Sequence, residues 1–142
     1  MQLFIGGACA GKRGIVRQRF DSPRWHSAYA GCRLESWPSL AKAPCLVLEG
    51  WECWIAERLD GEPDDDRLRQ AMASELDALC AWEAEHGGEA VLIMLEMGRG
   101  IVPLGADKRR LRDLNGWLAQ DAASRCERVW YLWNGLVKEL SR

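Results

Sequence analysis

Histidine is scarce in this chain of 142 residues, which has only His26 and His86. None of its six cysteines is spaced as Cys-x-x-Cys, so no His/Cys set has the pattern of a structural zinc site. We assign no resident metal site and read the cysteines as reduced, mostly buried thiols. No apolar run approaches the ~18 residues that span a bilayer. The N-terminus lacks the charged and then long apolar pattern of a secretory signal. The expectation is a cytoplasmic chain without a membrane span. Basic residues are not in excess: 19 Lys and Arg face 21 Asp and Glu, for a net charge of −2. A nucleic-acid partner normally demands a basic face, so none is expected. Internal repeats and low-complexity linkers are also lacking, and residues 1–142 read as a single domain. What is present is 48% hydrophobic and 28% charged content, as in globular proteins, with eight tryptophans that read as core and interface packing.

Four short apolar runs punctuate the chain at residues 2–5, 45–49, 90–95 and 128–133. Continuous apolar runs of this length are the pattern of strands covered on both faces. Residues 136–140 suit a short edge strand. Helical spacing marks residues 51–59, 66–85 and 106–124, and a short basic helix is expected over 12–20. The acidic stretch 60–66 reads as a solvated turn whose last aspartates cap the next helix, which His86-Gly87-Gly88 stops. Residues 21–44, with three prolines and no clear period, read mostly as loop, with room for one helical turn near Ser36–Ala41. Alternating strands and helices predict one α/β domain with a mainly parallel sheet flanked by helices. Ligands of such sheets bind at the carboxyl ends of the strands.

The first strand runs into Gly6-Gly7-Ala8-Cys9-Ala10-Gly11-Lys12-Arg13, which fits G-x-x-x-x-G-K between a strand and a helix. Backbone N–H groups freed by glycine curl around an anion, the helix N-terminus adds positive potential, and the lysine reaches the outer phosphates. We therefore assign residues 6–13 to nucleotide binding, with Lys12 also catalytic. The next position should be a Ser or Thr whose hydroxyl holds Mg²⁺. Arg13 stands there instead, and a guanidinium cannot ligate a metal. The second apolar run ends on Glu49, where a phosphate-loop protein holds or orients Mg²⁺.

Gly6-Gly7-Ala8-x-x-Gly11-Lys12 and Glu96-Met97-Gly98-Arg99-Gly100-Ile101-Val102-Pro103 resemble blocks of the adenosylcobinamide kinase/adenosylcobinamide-phosphate guanylyltransferase family of cobalamin biosynthesis. Its R-x-x-R-D-x-x-G-x-x-x-Q helix is matched by Arg109, Arg112, Asp113, Gly116 and Gln120. Its last strand is similar to residues 128–138. The resemblance implies a P-loop (RecA-like) sheet and a trimeric assembly. It also implies an enzyme that uses GTP or ATP to phosphorylate adenosylcobinamide and then transfers GMP through a guanylylated histidine. By resemblance, Glu96, Gly98, Gly100, Pro103, Arg109, Arg112 and Asp113 are the substrate-loop residues, and His26 is the candidate nucleophile. The alternative is a catalytically degenerate member that binds nucleotide or corrinoid as a partner subunit. Leu95 and Ala119 replace asparagines of the family pattern. The chain also has fewer residues than the family between the loop helix and Trp37, where the family keeps a strand and its histidine helix.

Overall fold

The computed structural model describes residues 1–97 and 105–140. Strand β1 (Gln2–Gly6) leads into helix α1 (Lys12–Arg19), and strand β2 (Arg24–Ser27) follows. Two 3₁₀ turns, Ala28–Ala30 and Leu34–Leu40, connect it to strand β3 (Cys45–Glu49). Then come α2 (Trp51–Arg58), α3 (Asp65–His86), β4 (Glu89–Leu95), α4 (Ala106–Arg125), β5 (Arg128–Trp133) and β6 (Leu136–Leu140). The strands form one six-stranded sheet in the order β2-β3-β4-β1-β5-β6. The first five run parallel, and β6 closes the edge antiparallel to β5. This is the α/β fold with a mainly parallel sheet that the alternating pattern implies.

Side chains alternate across the central strands. Leu3, Leu46, Leu48, Leu92 and Met94 join a large core with α2, α3 and α4. Phe4, Val47, Val91, Ile93 and Leu132 form a smaller one with Val16 of α1. Helix α3 starts where Asp64 accepts hydrogen bonds from the backbone N–H groups of Asp66 (3.0 Å) and Arg67 (3.3 Å). It buries Leu68, Met72, Leu76, Leu79 and Trp82 and ends at Gly87, as its spacing predicts. The turn into β6 is Asn134-Gly135, with φ of 47° and 78° at its two residues. That left-handed pair suits the twist of a tight hairpin. Among the described residues no helix is long and apolar enough to cross a membrane.

Residues 21–44 correct the expectation of a loop. Arg24–Ser27 pairs in parallel with β3, and Leu34 and Trp37 are buried. Residues 24–27 form an edge strand of four residues.

Candidate nucleotide-binding site

The carboxyl ends of β1, β3 and β4 meet at a cleft of about 400 Å³. Among the described residues its walls are the loop from Ala8 to Gly14, with Tyr29, Glu49, Ile93 and Leu95. Gly6 ends β1 between Leu95 and Leu132 of the neighbouring strands. A Cβ at Gly6 would lie 2.4 Å from the Leu132 carbonyl oxygen, so only glycine lets the loop leave the sheet there. Gly11, at φ 92°, turns the chain into α1. The left-handed conformation needed at that turn is one that glycine adopts without steric cost.

Lys12 folds back over the loop. Its Nζ donates to the carbonyl oxygens of Gly6 (3.0 Å) and Gly7 (2.6 Å). Burial pushes its pKa below the ordinary lysine value, while the nearby acids Glu52, Glu49 and Glu96 push it back up. A half-buried ammonium that rests on two carbonyl oxygens is poised to exchange them for an anion, to which its bond is stronger.

Arg13 does not face away from the cleft. Its Nε donates to both carboxylate oxygens of Glu49, at 3.0 and 2.8 Å, and Nη2 also contacts Oε1. Its Cζ lies 5.7 Å from the centre of the Trp25 ring. Glu49 itself is 1% exposed, and a buried carboxylate needs such a counter-charge. The fit to Mg²⁺ is therefore poor. The position of the Ser/Thr hydroxyl is a guanidinium, and both oxygens of Glu49, the one buried acid among the described residues of the cleft wall, are already taken by it.

Two groups beside the cleft escaped the sequence reading. Tyr29 lies on a 3₁₀ turn and donates its hydroxyl to Glu52 Oε2 at 2.5 Å. The other oxygen of Glu52 is buried without a hydrogen-bond partner among the described residues. The first helical turn after a strand-end acid was the available signal for Glu52; nothing in the sequence pointed to Tyr29.

The remaining candidates fall elsewhere. His26 sits within β2 and not on a loop. It is 3% exposed, its Nε2 lies 2.6 Å from the Arg33 carbonyl oxygen, and its ring is 5.7 Å from that of Trp54. Its burial comes from the edge strand that the loop expectation missed. Glu96 accepts a hydrogen bond from the Tyr131 hydroxyl at 2.6 Å, and its backbone N–H donates to Gly6 at 2.9 Å, so it abuts the base of the loop. Asn115 of α4 ties down the end of β4 by donating to the Leu95 carbonyl at 2.7 Å. Arg112 pairs with its neighbour Asp113 at 3.0 Å, and Arg109 is exposed; none of the three is among the described residues of the cleft wall. Gly98, Gly100 and Pro103 lie outside the described residues.

The model of the CobU family, cobinamide kinase / cobinamide phosphate guanyltransferase, matches residues 16–140. The chain belongs to this family. The match begins beyond Arg13 and does not cover the 6–13 loop. Among relatives of this CobU-family chain is the bifunctional adenosylcobalamin biosynthesis protein CobP of Pseudomonas aeruginosa. It is 38% identical over 68% of this chain and 53% of its own length. The bifunctional adenosylcobalamin biosynthesis protein CobU of Escherichia coli is 31% identical over 54% of this chain and 44% of its own length. The chain thus spans about half the length of these relatives.

Proposed function

We propose that this CobU-family chain works in cobalamin biosynthesis by binding GTP or ATP on the 6–13 loop and phosphorylating a cobinamide. The observation that carries the reading is Lys12, whose ammonium rests on the Gly6 and Gly7 carbonyls at the wall of an open cleft. Phosphoryl transfer asks a protein mainly for positioning and charge stabilisation. Loop N–H groups and Lys12 supply both for the phosphates. The acceptor that the family likeness suggests is the hydroxyl of the aminopropanol arm of adenosylcobinamide. Arg13 and Glu49, already paired with each other, do not fit Mg²⁺.

The guanylyltransferase half of the family's chemistry has less support. It calls for a nucleophile, and neither histidine is among the described residues of the cleft wall. His26 is buried against Trp54, and Nδ1 of His86 lies 3.2 Å from the Trp82 carbonyl oxygen at the end of α3. These two placements, with the Arg13–Glu49 pair, favour a second reading: a nucleotide- or corrinoid-binding partner subunit without turnover. Incubation with GTP or ATP and cobinamide separates the readings. Phosphorylated cobinamide is expected. Nucleotide binding without product selects the partner subunit. A nucleotide at a hundred times its Kd should stabilise the fold by about 2.7 kcal/mol, and no shift in Tm would remove the kinase reading and the nucleotide-binding form of the second.

A further inference from the structure

In a phosphate-loop site the buried acid across the cleft ordinarily faces a divalent cation. Here that acid, Glu49, is 2% exposed at its side chain and already faces Arg13. We propose that the Arg13 guanidinium takes the place of the cation, so that this cleft binds a nucleoside triphosphate without Mg²⁺. The inference rests on nucleotide binding by the 6–13 loop, as proposed above.

The first turn of α1 places Arg13, and two contacts hold its guanidinium: the Trp25 ring and the Glu49 carboxylate. The pairing with Glu49 is side-on. It uses Nε and Nη2 and leaves Nη1 without a hydrogen bond to any described residue. A guanidinium has five N–H donors in a rigid fork, so the unused ones remain for a phosphate oxygen. The Arg13 side chain lines the cleft with 52% of its surface exposed, which leaves it open to a ligand from solvent.

Mg²⁺ is at a disadvantage in the same place. It demands near-octahedral oxygen ligands and sheds water reluctantly. To enter, it would have to strip the guanidinium from both oxygens of Glu49 and would gain no hydroxyl ligand in return. Arg13 delivers one positive charge where the metal would deliver two, and Lys12 stands in the loop in either case.

The test is nucleotide binding by the whole chain, with GTP and with ATP, once in excess EDTA and once in MgCl₂. The expected dissociation constants agree within about threefold. In Arg13→Ser, affinity in EDTA should fall by about tenfold or more, and Mg²⁺ should recover part of it. Mg²⁺ alone should raise the Tm of Arg13→Ser and leave that of the natural chain unchanged. Loss of more than about tenfold in affinity when Mg²⁺ is withdrawn from the natural chain would overturn the inference while leaving nucleotide binding intact. No binding in either buffer overturns nucleotide binding itself, and the inference with it. If Arg13→Ser does not fold, the two-buffer comparison on the natural chain still decides.

Discussion

On one side of the sheet, Leu3, Leu46, Leu48, Leu92 and Met94 are sealed by three helices, and the tryptophans at 51, 54 and 82 fill the space between. On the other, Phe4, Val47, Val91, Ile93 and Leu132 meet α1, an eight-residue helix whose only buried side chain is Val16. Arginines complete that thinner cover. Arg19 lies 4.1 Å from the Trp130 ring centre and Arg17 lies 5.2 Å from that of Trp25. The difference assigns separate tasks. The thick side supplies the hydrophobic burial that keeps a chain of this size folded. The thin side leaves room at the strand ends, where Ile93, Leu95 and the 8–14 loop line the cleft. Its cationic cover suits an anionic ligand, and its loop geometry is held by close backbone contacts.

The largest expected effect tests the thick side. Leu76 is fully buried there, and Leu76→Ala should cost about 2–5 kcal/mol in urea denaturation. Nucleotide affinity, measured well below the Tm, should stay within about twofold of the natural chain. A cost below about 1 kcal/mol would break the contrast between the two sides.

Next comes Gly6→Ala on the thin side. The added methyl would collide with the Leu132 carbonyl, 2.4 Å from its Cβ. Stability should drop by only about 1–3 kcal/mol, while nucleotide affinity falls by about tenfold or more. Retained affinity would show that the loop does not depend on the close approach of β1 to β5.

The smallest effect lies on the solvent flank of the thick side. Arg125 Nε donates to Asp77 at 2.7 Å and holds that carboxyl below the usual aspartate range. A depressed pKa in the folded state stabilises above the unfolded value of 3.8, and that contribution disappears as pH falls through the folded value. Because the Asp77 side chain is 65% exposed, Asp77→Asn should cost at most about 1 kcal/mol at neutral pH. Natural and variant stabilities should converge in acid, as denaturation at a series of pH values would show.

Much of the sheet is visible in the residues. β1, β3, β4 and β5 read as apolar runs because helices cover both faces, and the hairpin turn before β6 is an Asn-Gly pair. β2 escaped notice. It is four residues long, pairs on one side only, and reads Arg-Trp-His-Ser. Its burial comes from neighbours distant in sequence, so no local period marks it. His26 illustrates the consequence: on a presumed loop it resembled a free nucleophile, and on a strand against Trp54 it is part of the packing.

The chain's own residues determined that strands and helices alternate, that β1 opens into a glycine-rich loop, and that an arginine follows Lys12. Those features come from local spacing and side-chain type, which act over a few residues. Tertiary structure decided that this arginine meets Glu49, 36 positions away, in place of solvent. That pairing exists because packing carries the end of β3 beneath the first turn of α1, where a buried carboxylate requires a positive partner.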